Sequence, residues 1–96
     1  MELIDLDGNK FEGYSIPTLN TAALLIKAKR GFLGCGYFSL ETAEKVGDAA
    51  VIVTGVKNFE DMLAAKVKAM SSAAAALGVT TEMTGREALL KMGSVE

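Results

Sequence analysis

The sequence predicts an α+β fold: a two-layer domain whose mixed β-sheet begins with an amino-terminal β-hairpin and carries its helices mainly on one face. Three observations predict it. The first third of the chain alternates apolar and polar residues between turn signals, which is the pattern of strands. Two apolar strands flank the short capped helix "SLETAEKVG", and a strand–helix–strand unit places parallel strands in an otherwise antiparallel sheet. The remaining segments show N-cap residues ahead of apolar stripes at helical spacing.

Taken in order, "LIDLDGNKFEGYSI" reads as a hairpin with Asp7-Gly8-Asn9 as its turn and Phe11 to Ile16 returning. Pro17 has no N–H to give, so it ends the second strand or sits at an edge. "AALLIKAK", residues 22–29, is the next strand, Arg30-Gly31 a tight turn, and "FLGCGYF" the returning strand. That turn would set Ala28 opposite Leu33, Ile26 opposite Cys35 and Leu24 opposite Tyr37. Ser39 caps a helix with Leu40, Ala43 and Val46 on one face, and Gly47 suits its end. "AAVIV" is apolar in succession, as in a strand covered on both sides. Asn58 caps a helix with a buried stripe of Phe59, Met62 and Leu63, and "AKVKAM" alternates as a short strand. Ser71 or Ser72 caps "AAAALG", ended by Gly78. Thr84 and Glu87 form a capping box for a last helix with a Leu89, Leu90 and Met92 face. The 96 residues fit one domain, with 1–18 as a β segment and 22–92 as an α+β core.

Composition narrows the function classes. Half of the residues are hydrophobic, only 23% are charged and the mean hydropathy is +0.29. A domain this small has much surface for its volume, so the apolar surplus calls for burial between subunits. No uninterrupted apolar run approaches the roughly 18 residues of a membrane span. "MELIDLDGNK" reads as the start of a strand and not as a signal peptide. The net charge is −2 with no basic stripe, which argues against nucleic acid as a partner. The single cysteine allows no internal disulfide and suits a reducing cytoplasm. There is no histidine, which removes His-based acid–base catalysis, Cys–His activation and His-containing zinc sites.

"GFLGCGYF" holds the main candidates. Cys35 faces the apolar side of its hairpin and reads first as a small buried hydrophobe; a nucleophilic or redox thiol would need a nearby cation such as Arg86 or Lys27. Gly34 and Gly36 lay backbone bare on the other face, beside Lys27 and Lys29, where a helix, a subunit or a small anion could lie. "GCGYFS" is a weak dinucleotide signal, since Ser39 stands where the last glycine should be. Thr84, Gly85 and Arg86 at a helix start could hold a phosphate or carboxylate, although Glu87 already satisfies the cap. The acidic residues show no metal-ligand spacing, and no cofactor or metal is expected.

The "GFLGCG" strand, "DAAVIVTGV", "FEDMLAAKV" and "ALGVTTEMTGREALLKM" together resemble the YunC-like family, a domain of unknown function in bacteria and archaea. The resemblance runs from about Leu24 to Met92. Cys35 and Gly36 match the family's Cys-Gly pair, and Thr84, Gly85, Glu87 and Ala88 match its closing helix start; Glu82 departs from an expected glycine. The resemblance implies a small α+β fold whose amino-terminal β segment helps assemble a homo-oligomer, a tetramer, and it brings no activity with it. The expected function is thus a cytoplasmic, non-catalytic, homo-oligomeric binding or assembly module. The alternative is a small enzyme or redox protein using Cys35.

Overall fold

The computed structural model describes residues 1–95. One six-stranded sheet runs in chain order: β1 (Glu2–Leu6), β2 (Asn9–Pro17), β3 (Ala22–Lys27), β4 (Phe32–Gly34), β5 (Ala50–Ile52) and β6 (Ala69–Met70). Only β4 and β5 pair in parallel; the other neighbours are antiparallel. The crossover between them is α1 (Leu40–Val46), capped by the Ser39 hydroxyl and ended by Gly47 at φ +85°. Then come α2 (Phe59–Ala64), α3 (Ser72–Ala76) and α4 (Gly85–Met92), whose caps are Asn58, Ser71 and Thr84. The mixed sheet and the α+β class therefore stand as the sequence predicts.

Strand alternation builds the core. Ile4, Leu6, Phe11, Leu24, Ile26 and Leu33 point to one face of the sheet and are buried there. α2 and α4 cover that face, bringing Met62, Leu89 and Met92, all fully buried. Burying a side chain of this size is worth about 1.5–3 kcal/mol, so this layer is the main source of stability. Ala50 to Val53 are buried throughout, as a strand covered on both sides requires.

Four local expectations are corrected. The β3–β4 register is Ile26 opposite Leu33 and Leu25 opposite Gly34, so the connection spans residues 28–31 instead of two residues. Its loop is held by the end of α4: Lys29 N–H donates to the Gly93 carbonyl and Arg30 N–H to that of Met92. A slip of two residues keeps every side chain on its predicted face, because the pleat repeats every two. Secondly, β4 stops at Gly34; the chain turns at once, with Phe38 N–H donating to the Cys35 carbonyl at 3.1 Å. Thirdly, Val46 and Leu90 are exposed, since α1 buries only Ala43 and α4 turns Ala88, Leu89 and Met92 inward. Lastly, "AKVKAM" divides: Lys66 bridges to Thr84, Val67 N–H donates to the Met83 carbonyl, and only Ala69–Met70 join the sheet.

Candidate functional site

Parallel strands feed their carboxyl ends toward the same side, and where the chain leaves them a crevice opens. β4 runs out into Cys35, Gly36 and Tyr37, and β5 through Val53 into Thr54, Gly55 and Val56. These two loops, with Thr21 at the end of the β2–β3 turn and Ala22 at the start of β3, line a cavity of about 270 Å³. Gly55 turns the second loop in the left-handed region, at φ +71°, which a side chain would strain. Gly36 is different: a Cβ there would meet only the Thr54 Cγ2, at 3.8 Å, so the backbone borders open space.

Cys35 is 5% exposed and sits opposite Leu24, continuing the ladder beyond β4. Its N–H donates to the Leu24 carbonyl at 3.0 Å, and its Sγ accepts the Leu24 N–H at 3.3 Å. The thiol thus lies on the apolar face of its hairpin, as predicted, while belonging to the crevice lining. The Tyr37 hydroxyl donates to Thr18 Oγ1 at 3.2 Å, tying the first loop to the β2–β3 turn.

The other sequence candidates are not gathered here. Gly34 is not bare: a Cβ would lie 2.9 Å from the Phe38 ring, which folds back over the strand and packs edge-on against Phe32, centroids 5.9 Å apart. Lys27 and Lys29 lie at the opposite end of the β3–β4 hairpin, lining a separate cavity of about 450 Å³ together with Arg30, Asp48, Leu25 and Phe32. Arg30 is committed to the fold, because its guanidinium donates to the Lys91 and Met92 carbonyls at the end of α4.

Thr84, Gly85 and Arg86 occupy a third place. Thr84 Oγ1 accepts the Glu87 N–H, and the Glu87 carboxylate accepts the Thr84 N–H at 3.0 Å. The Thr84 N–H and then the Thr84 hydroxyl, which donates to the same carboxylate at 3.3 Å, hold the Glu87 carboxyl below its usual value. A Cβ on Gly85 would fall 2.0 Å from the Met62 carbonyl oxygen, so its role is close packing of α4 on α2. Arg86 pairs with Asp7 of the β1–β2 turn at 2.5 Å. Glu44, another surface carboxylate, accepts the hydroxyl of Ser72 and also its N–H, and these, the hydroxyl foremost, lower its pKa. Among the described residues no three His, Cys, Asp or Glu side chains come together as a metal site, and no helix is long and apolar enough to cross a membrane.

Thr21, Ala22, Thr54, Gly55 and Val56 complete the crevice without having been singled out from the sequence. Their signal was present in "VIVTGV": a fully apolar strand ending in Thr-Gly, second in a β-α-β unit, marks the carboxyl end where such crevices open.

Comparison with known proteins places the chain. It is 29% identical to the uncharacterized protein YunC of Bacillus subtilis (strain 168) over 93 residues, 93% of this chain and 92% of that one. The crystal structure of a protein of unknown function from Thermoplasma acidophilum superposes with a TM-score of 0.89 at 37% identity, covering 96% of this chain and 90% of the other. The family model described as a domain of unknown function (DUF1805) matches residues 34–92, from the last residue of β4 to the last of α4. Spanning the crevice loops, the crossover and the capped closing helix, that match shows that the chain belongs to the DUF1805 family, the YunC-like proteins that its residues resemble.

Proposed function

We propose that the protein is a non-catalytic homo-oligomeric binding and assembly module of the cytoplasm, and that its copies meet through the open face of β1–β3. One observation carries this. Leu3, Tyr14, Ile16 and Leu25 share the face of the sheet opposite the core layer, interleaved with Asp5, Lys10, Glu12 and Lys27, and Leu3 and Ile16 are 51% and 63% exposed. Leu19, at the tip of the β2–β3 turn, is 96% exposed. Apolar residues grouped on one side of a small domain mark a surface that associates, and a stable interface covers about 800 Å² per partner. A tetramer is the assembly that the family resemblance implies.

Removing the amino-terminal segment is a poor test, because Ile4, Leu6 and Phe11 belong to the core. Ile16→Lys changes only the open face. Light scattering at micromolar concentration should give a multiple of the 10.1 kDa chain mass for the native protein and a smaller particle for Ile16→Lys. A native chain that scatters as a monomer overturns the proposal.

One observation favours a second role, a small enzyme or redox protein: Cys35 lines the crevice at the carboxyl ends of the parallel strands. Iodoacetamide labelling of the native protein against pH separates the two. A buried structural thiol should label only after denaturant is added, whereas labelling in the native state at a pH well below that of a free thiol would support chemistry at Cys35.

A further inference from the structure

We infer that the crevice between the β4 and β5 loops binds a small organic carboxylate, held by backbone N–H groups and hydroxyls instead of a cation. The N–H groups of Gly36, Tyr37, Thr54, Gly55 and Val56 find no acceptor among the described residues. Both loops contribute to this set, and all five residues line the one cavity. Successive free amides in turns make concave anion sites, since each donates without a side chain in the way. Gly36 and Gly55 serve that geometry by leaving the backbone uncovered.

The rest of the lining narrows the ligand. No Lys, Arg, Asp or Glu contributes to it, so a multiply charged phosphate would lose its hydration without a counter-charge. A single carboxylate spreads one charge over two acceptor oxygens and suits a set of neutral donors, with the Thr21 and Thr54 hydroxyls available as well. Ala22, Val56 and the Cys35 sulfur offer apolar contact to a short carbon chain. At about 270 Å³ the cavity lies just below the roughly 300–1,000 Å³ of pockets for drug-sized ligands, which suits a small ligand. One chain supplies the whole lining, so this site does not depend on the assembly proposed above.

The test uses butyrate as probe, with butylamine and inorganic phosphate as controls, followed by amide NMR on the full chain. Butyrate at millimolar concentration should shift the Gly36, Tyr37, Gly55 and Val56 amides saturably. It should also slow labelling of Cys35 at the denaturant concentration where labelling begins, and the controls should do neither. Gly36→Val, which fills open space at a backbone without positive φ, should abolish the response while its thermal melt stays cooperative. Should that variant fail to fold, Thr54→Leu at an exposed position should weaken the response at least several-fold. Repeating the titration on Ile16→Lys keeps it independent of assembly. No saturable shift with butyrate, an equal response to butylamine or phosphate, or an undiminished response in the folded crevice variants would overturn the inference.

Discussion

A missing Cβ has a different meaning at each of three glycines. At Gly85 an added methyl would meet the Met62 carbonyl oxygen at 2.0 Å and the Leu33 Cδ2 at 2.9 Å, so α4 would have to lift from α2. At Gly34 the obstacle is the Phe38 ring at 2.9 Å, the far end of a side chain that can rotate. At Gly36 there is room. Gly85→Ala should therefore cost about 1–3 kcal/mol, as overpacking does, and lower the thermal midpoint by several degrees. Gly36→Ala should leave the midpoint unchanged or raise it slightly, because alanine narrows the unfolded ensemble by about 0.4–1 kcal/mol. Calorimetry on the pair checks the ordering; equal midpoints would show that α4 does not approach α2 this closely. All three glycines look alike in the sequence, because what each one touches is fixed by residues far along the chain.

At the scale of elements, caps are local and were legible, while partners were not. Ser39, Asn58 and Thr84 cap the helices as the sequence indicates, and Ser71 takes the cap that the sequence left between it and Ser72, since each bond spans only three residues. The last cap carries a pH dependence. The folded pKa of Glu87 lies below its unfolded value near 4.5, so its contribution is complete above that value and is lost as pH falls through the folded one. Glu87→Gln keeps an oxygen for the Thr84 N–H but cannot titrate. Its thermal midpoint should fall less steeply than that of the native protein on acidification below about pH 4.5. Parallel acid profiles would remove Glu87 from the account. The β3–β4 turn shows the opposite case. Arg30-Gly31 has the residues of a tight turn, yet hydrogen bonds to Met92 and Gly93 hold a wider loop, and no short-range pattern reports a contact some sixty residues away.

The whole molecule presents one covered face and one partly open one. If copies close that open face, folding and association are linked, and the native state gains stability with concentration. The thermal midpoint of the native protein should rise with protein concentration, and that of Ile16→Lys should rise less or not at all. An equal rise for both, with a multimeric native particle, would place the interface elsewhere, and flat midpoints for both would show that unfolding is not linked to association. α1 approaches the sheet at β5, so the exposed stretch is confined to the three amino-terminal strands.

Alternation, caps and the strand–helix–strand order specify the α+β class, the mixed sheet and most of the side chains that form the core, Val46 and Leu90 excepted, because each depends on residues near one another in the chain. Cys35 falls on its predicted face even though its pairing shifted by two, since the pleat conserves sides under such a slip. The grouping of candidates was decided by tertiary structure alone. Lys27 and Lys29 lie at one end of the β3–β4 hairpin and Cys35 at the other, Thr84, Gly85 and Arg86 are spent on a cap, close packing and an ion pair with Asp7, and Thr54 and Gly55 arrive beside Cys35 only because β5 pairs in parallel with β4. That pairing joins residues about twenty positions apart through a helix, and loops become neighbours only when the crossover that separates them closes.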